Sequence, residues 1–147
     1  LKHRVIEEKL EKYIIFHGRH NYSEMSQFYQ LADVCLLTLS SDFSVGMTVP
    51  GKLQGYMSAG KMVLAAINGE AVNIINEAKC GICVPSGDSV ALGNSMKKII
   101  ENYEQYEYME QNARDYYMEN FILEKHINKL ENQLQMCIYE NSSKCKI

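Results

Sequence analysis

Four apolar runs alternate with amphipathic segments along this chain. The runs are Tyr13–His17, Val34–Leu39, Met62–Ile67 and Gly81–Val84. Unbroken apolar runs suit strands that are covered on both faces, as in a parallel sheet. The pattern therefore predicts four buried strands.

Between and after these runs, apolar residues recur three and four positions apart, which is typical of one face of a helix. Pro50 suits the start of a helix and Gly60 its end, and Asp88 is expected to cap another. The predicted helices cover residues 4–12, 25–32, 50–59, 70–78, 89–100, 104–119 and 123–139. Strands and helices that alternate through short loops predict an α/β fold, a Rossmann-like parallel sheet with flanking helices.

Length and composition favour one soluble domain. The 147 residues are 46% apolar and 22% charged, and we expect a domain over residues 1–140 with a frayed tail at 141–147. The formal net charge of −3 argues against a nucleic-acid partner. No apolar run approaches the ~20 residues of a membrane span. Because the chain opens at Leu1, we expect a piece of a longer protein.

Five cysteines are present, and two of them have CxxC spacing. Cys80 and Cys83 bracket a short predicted strand, and neither a second cysteine pair nor a histidine cluster completes a zinc site. We interpret the cysteines as structural thiols and expect no metal. Reduced thiols in turn favour a cytoplasmic location.

Ligands of open parallel sheets bind at the carboxyl ends of the strands. Three loops qualify, namely residues 18–20, 40–50 and 68–70. None of them carries GxGxxG or a GxxxxGK[ST] phosphate loop, so generic dinucleotide and P-loop sites are not indicated.

The middle loop leads into the helix that begins near Pro50. Free amides at such a helix end suit a phosphate, and Lys52 in the first turn is favourable only beside an anion. Lys52, Gly55 and Ala59 share a face, where small residues leave room for a ligand. The alternative is that Lys52 is solvated and Gly55 permits close helix–sheet packing.

Two histidines and a glutamate near the loops have both structural and ligand interpretations. His17, inside a predicted strand, is expected to be a packed core residue. His20, in the first loop, either contacts ligand or supports the loop. Glu70 begins a helix, where the dipole stabilises a carboxylate whether or not a donor is bound.

The stretch Val49–Lys61 resembles the VPxKxxxYMAxGKPV segment of family-4-type glycosyltransferases with the two-domain GT-B fold. Phe16–His20, Tyr29–Asp33, Gly69-Glu70, Glu77–Gly81 and Gly87-Asp88 match in order and spacing, and the resemblance spans residues 13–139. It is nearest to bacterial enzymes of capsule, O-antigen and colanic-acid synthesis, including fucosamine-transferase-like members.

The resemblance implies the C-terminal half of a GT-B fold, which binds a nucleotide-sugar, usually a UDP-sugar. Family members place a ribose-binding glutamate where this chain has Gly55, so Gln54 is the candidate substitute. Gly18 and Arg19 would flank the nucleotide, and Glu70 would approach the donor. The residues expected to face the diphosphate and sugar are Ser44, Val45, Gly46, Met47 and Thr48, with Lys52 as a nearby cation.

The resemblance also implies that the first βα unit, with its basic clamp, and the acceptor-binding N-terminal domain lie outside this chain. The parent enzyme would transfer a hexosyl-type sugar to a lipid-linked or saccharide acceptor in surface polysaccharide synthesis, without metal or cofactor. This chain alone would be inactive, and peripheral contact with the inner membrane face would come through the N-terminal domain. Two alternatives stay open, a nucleotide-sugar epimerase of GT-B architecture and a non-enzymatic α/β protein-interaction module.

Overall fold

The computed structural model describes residues 1–40 and 48–144, with side chains described to residue 139. The strands are β1 (Val34–Thr38), β2 (Met62–Ala66) and β3 (Gly81–Val84). The α-helices are α1 (Lys2–Glu7), α2 (Met25–Gln30), α3 (Gly51–Ser58), α4 (Glu70–Ala78), α5 (Ser89–Glu101), α6 (Tyr108–Asn120) and α7 (Leu123–Lys144). Two short 3₁₀ turns precede α2 and α6, at Tyr22–Glu24 and Tyr103–Gln105.

The strands form a parallel sheet in the order β1-β2-β3, which confirms the predicted α/β class. Leu36 pairs with Leu64 across β1 and β2, and Leu64 pairs with Ile82 across β2 and β3. All five residues of β2 are buried, because β2 has a strand on either side and helices on both faces. Strand β1 lies at the edge, where Leu36 is 45% exposed instead of buried as its apolar run indicates.

Alternate residues of β2 supply the cores on the two faces of the sheet. Val63 and Ala65 pack in the larger cluster, together with residues of α3, α4 and α6. Met62 and Leu64 pack on the other face against Ile99 of α5. The period-2 alternation of a strand thus divides one continuous apolar run between two helical layers.

The predicted strand at Tyr13–His17 is wrong. Residues 14–20 have no regular secondary structure, and Tyr13 and Ile15 are 82% and 73% exposed. A strand needs a neighbour to pair its backbone, and no described strand lies beside this segment. Consecutive strands of a doubly wound sheet need not pair, because in the order 3-2-1-4-5-6 the third strand lies far from the fourth. An apolar run can therefore precede β1 in the chain without pairing with it. His17 is accordingly exposed, not a core residue, and packs against Phe28 with ring centroids 5.4 Å apart.

The local signals at helix ends are largely confirmed. Gly60 follows α3 with φ +65°, the left-handed conformation that favours glycine. Asp88 caps α5, because its Oδ1 accepts the backbone N–H of Ala91 at 2.8 Å. Pro50 precedes α3 as its N-cap rather than occupying the first helical position.

Candidate functional site

Hydrogen bonds join the carboxyl ends of the three strands to one another. The Ser86 hydroxyl, just beyond β3, donates to the carbonyl oxygen of Leu39, just beyond β1, at 2.5 Å. The backbone N–H of Ser86 donates to Oδ1 of Asn68, beyond β2, at 3.3 Å. The residues that follow the three strands are therefore held together at one edge of the sheet.

A cavity of about 790 Å³ opens at the ends of β2 and β3, between Ile67 and Pro85. Gly69 adopts φ +89° as the N-cap of α4 and places Glu70 in the first turn. The Glu70 carboxylate lines this cavity and accepts a hydrogen bond from Nδ2 of Asn73 at 2.9 Å. Glu70 is thus exposed to solvent, and one of its carboxylate oxygens accepts a hydrogen bond from a residue of its own helix.

A second cavity, of about 960 Å³, lies between α2, α3 and α6, and we call it the α3 groove. Gly51 and Lys52 line it from the first turn of α3, whose N-cap residue Pro50 makes no side-chain hydrogen bond to the backbone amides. Lys52 is exposed and has no ion-pair partner among the described residues. The start of α3 and an ammonium group therefore share one wall of the groove, and both favour an anion.

The space above Gly55 is occupied by an aromatic ring. A Cβ built on Gly55 would lie 3.3 Å from Cε2 of Tyr29 and 3.4 Å from its Oη. The open room predicted beside Gly55 is therefore filled by Tyr29, and the close approach that this glycine permits is to a ring of α2 rather than to the sheet. Lys52 itself still faces the open part of the groove.

Tyr29 and Arg114 line this groove and were not among the site residues predicted from the sequence. Arg114 lines the end of the groove and donates from Nη1 to the carbonyl oxygen of Ser58. It is 56 positions from Ser58, so no local spacing connects them. For Tyr29, a signal was present, because a glycine inside a helix indicates close approach of another group.

The first predicted loop lies apart from both cavities. Gly18 and Arg19 are exposed and line neither cavity, and Gly18 has φ +83°. His20 contacts the Phe28 ring at 4.5 Å and the Glu24 carboxylate at 3.2 Å. The Glu24 carboxylate also accepts the Asn21 backbone N–H at 2.9 Å, and these contacts hold the segment together. The same hydrogen bonds from Asn21 and His20 lower the pKa of Glu24.

The remaining predicted residues flank α3. Thr48 is exposed just before the helix, and Gln54 is half-buried on it without lining either cavity. Four further predicted residues lie outside the described part of the chain, namely Ser44, Val45, Gly46 and Met47.

The cysteines of the sheet region are buried or half-buried thiols. Burial raises the pKa of Cys35, Cys80 and Cys83 to about 11 each, so all three are protonated at neutral pH. Within residues 1–40 and 48–139, no three His, Cys, Asp or Glu side chains are grouped as metal ligands. Asp33 precedes β1 at its amino end, opposite the edge where a phosphoacceptor of a signalling module would lie.

A parallel sheet with helices on both faces defines a Rossmann-like α/β domain, and cavities lie beside the helices that follow its strands. Residues 1–116 match the family described as Glycosyl transferases group 1. The chain therefore belongs to that family.

Two solved structures share the fold. HepE from Anabaena, whose structure is a complex with UDP, aligns with TM-score 0.80 and 19% identity over 92% of this chain and 35% of its own. Sucrose-phosphate synthase from Thermosynechococcus elongatus aligns with TM-score 0.75 and 21% identity over 92% of this chain and 34% of its own. The chain thus spans about a third of each structure. No curated protein matches the sequence.

No helix in the described ranges has both the length and the apolar character needed to cross a lipid bilayer.

Proposed function

We propose that this chain is the donor-binding part of a glycosyltransferase and holds a nucleotide-sugar, a UDP-sugar, with its diphosphate at the start of α3. The observation that carries the proposal is the shared groove wall of Gly51 and Lys52, where the first turn of α3 and an ammonium group line the same space. Membership of the glycosyl transferases group 1 family supports the same ligand class.

The physical basis is the charge at the start of a helix. The first backbone N–H groups of α3 have no carbonyl partner within the helix and carry a partial positive charge. A diphosphate accepts hydrogen bonds from such amides, and the Lys52 ammonium adds a charge-assisted contact. Because Lys52 is exposed, water screens this contact and keeps its contribution modest.

The other candidate residues are assigned by their place around α3. In this proposal Gly18 and Arg19 flank the base, while residues 44–48 face the diphosphate and sugar. Glu70 approaches the sugar from the neighbouring strand end, and Gln54 is a candidate contact for the ribose. No residue of this chain is assigned a catalytic role.

The whole enzyme would transfer a hexosyl-type sugar to a lipid-linked or saccharide acceptor in bacterial surface polysaccharide synthesis, at the inner face of the membrane. Transfer requires an oriented acceptor hydroxyl and a stabilised leaving diphosphate, which two closing domains supply together. We therefore propose that residues 1–140 act with an acceptor-binding N-terminal domain and a basic clamp supplied from elsewhere in the enzyme. By themselves they bind donor without transferring it.

Ligand-detected NMR and calorimetry with UDP, uridine and GDP test this proposal. We expect UDP to bind, and Lys52→Ala to weaken UDP binding about fivefold to tenfold, on the order of 1 kcal/mol, while uridine binding is unchanged. Lys125→Ala is the matched control, because Lys125 is an exposed lysine of α7 that lines neither cavity.

Two outcomes would refute the proposal. A chain that binds neither UDP nor GDP is not a nucleotide-sugar-binding unit of this kind. An equal loss of UDP and uridine binding in Lys52→Ala would show that Lys52 does not serve a phosphate. Tighter binding of GDP than of UDP would change the nucleotide but not the location of the site.

A further inference from the structure

The cavity at the ends of β2 and β3, which we call the β2–β3 cavity, combines an apolar floor with a polar rim. Ile67 and Val84 in its floor are buried, whereas the polar lining residues are exposed. The apolar lining residues are Ile67, Val72, Cys83, Val84 and Pro85, and the polar side chains are those of Asn68, Glu70 and Asn73. Apolar walls with a few polar groups are typical of small-molecule sites, and the cavity volume of about 790 Å³ lies within their range.

Hydrogen bonds within the protein fix the orientation of both amides at the rim. Oδ1 of Asn68 accepts the Ser86 backbone N–H at 3.3 Å, so the Asn68 Nδ2 is left to donate elsewhere. Nδ2 of Asn73 donates to Oε2 of Glu70 at 2.9 Å, so Oδ1 of Asn73 and Oε1 of Glu70 are left to accept. No described residue forms a hydrogen bond with these three atoms. The rim therefore offers one amide donor and two acceptor oxygens to a ligand.

The charge of the β2–β3 cavity restricts the class of ligand. Glu70 is the one charged side chain among the described residues that line it, and no described residue forms an ion pair with Glu70. A carboxylate accepts strong hydrogen bonds from hydroxyl groups but repels a second anion. A simple cation would leave the Asn68 donor unmatched. The cavity therefore favours uncharged ligands that carry hydroxyl groups.

We propose that the β2–β3 cavity binds an uncharged pyranose through Asn68, Glu70 and Asn73. The hydroxyls of a pyranose both donate and accept, which matches the rim, and its C–H face suits the exposed ring of Pro85. The ring belongs either to the nucleotide-sugar or to a saccharide acceptor. The first source rests on the proposed function, because the ring is then joined to a UDP at Lys52.

The test measures binding of UDP, of UDP-glucose, UDP-galactose and UDP-N-acetylglucosamine, and of the methyl glycosides of the same sugars, by ligand-detected NMR and calorimetry. Asn73→Ala removes one acceptor and the contact that holds Glu70. If the donor supplies the ring, the wild-type chain binds one of the UDP-sugars about fivefold to tenfold more tightly than UDP, and Asn73→Ala abolishes this difference without weakening UDP. If the acceptor supplies it, Asn73→Ala weakens binding of a methyl glycoside by the same factor, and the UDP-sugars bind as UDP does.

UDP-glucuronic acid and methyl glucuronide test the role of charge, because each carries a carboxylate that the glucose compound lacks. Glu70→Gln keeps the shape and one acceptor oxygen of the side chain. We expect this substitution to strengthen binding of the glucuronate compounds about threefold to fivefold, since it removes the like charge, and to weaken binding of the neutral sugar. A loss of both to the same extent would refute the role given to the Glu70 charge.

Asn76→Ala and Glu119→Gln are the matched controls, because both residues are exposed, on α4 and α6, and line neither cavity. They should change none of these affinities. If no sugar adds to the binding of UDP and no methyl glycoside binds, or if Asn73→Ala behaves as Asn76→Ala does, the inference is overturned. When UDP still binds and Lys52→Ala still weakens it, such a result leaves the proposed function intact. If UDP does not bind but a methyl glycoside does and depends on Asn73, the proposed function falls and the pyranose site remains.

Discussion

Gly81 allows β3 to lie close to the central strand, β2. The substitution Gly81→Ala tests how much stability depends on this close approach. A Cβ on Gly81 would lie 2.1 Å from the carbonyl oxygen of Val63 and 2.9 Å from its carbonyl carbon. Carbon–oxygen contacts across a sheet are normally about 3.3 Å or longer, so the overlap exceeds about 1 Å. The obstacle is the backbone of β2, which cannot rotate away as a side chain would.

The magnitude follows from what must move. Relief of the overlap shifts β3 away from β2 and weakens the pairs Val63–Gly81 and Leu64–Ile82. Overpacking costs about 1–3 kcal/mol, and one weakened backbone hydrogen bond adds about 1 kcal/mol. Alanine restricts the unfolded chain and offsets about 0.4–1 kcal/mol. We expect a net loss of about 2–3 kcal/mol in the free energy of unfolding.

Thermal and urea denaturation, followed by far-UV circular dichroism, measure this loss. At about 2–4 °C per kcal/mol, Gly81→Ala should lower the Tm by roughly 5–10 °C. Gly93→Ala is the matched control, because Gly93 lies inside α5 and a Cβ there meets nothing within 4 Å. That substitution should raise stability by about 1 kcal/mol through helix propensity. A Gly81→Ala variant that melts at or above the wild-type temperature would refute the close-approach argument.

Two further predictions concern a helix cap and the buried thiols. Asp88→Ala removes the cap of α5 and should lower the free energy of unfolding, measured in urea, by about 1 kcal/mol. Asp88→Asn should retain most of the wild-type stability, because asparagine also caps helices. No difference in stability between the two variants would show that the cap contributes nothing. Burial raises the folded-state pKa of Cys35, Cys80 and Cys83 to about 11, from an ordinary value of 9.0. The stability that these neutral thiols contribute is therefore present below pH 9 and is lost as the pH rises towards 11. The urea concentration at the unfolding midpoint should therefore decrease as the pH is raised from 9 to 11. Brief alkylation at pH 8 followed by mass spectrometry should show that exposed Cys137 is labelled before these three cysteines. A midpoint that is constant over this range, or labelling of Cys80 ahead of Cys137, would contradict the assignment.

The sequence was sufficient for features that depend on neighbours a few positions away. The predicted apolar runs match strands β1, β2 and β3 to within one residue. They match because the pattern of apolar residues along the chain indicates which segments are buried as strands or helices. Asp88 and Gly60 marked a helix start and a helix end, since both act on backbone groups within one turn. The family was likewise indicated by the ordered set of motifs, and residues 1–116 match it.

The tertiary structure decided which runs become strands and what surrounds α3. Tyr13–His17 has the apolar pattern of a strand but pairs with none in the described sheet, and pairing is a property of the assembled sheet rather than of the run. The sequence left two interpretations of Gly55, and only the packing of α2 on α3 showed that the Tyr29 ring fills the space. Arg114 reached the same groove from α6, more than fifty positions along the chain, because helix packing brings together residues that no local spacing relates.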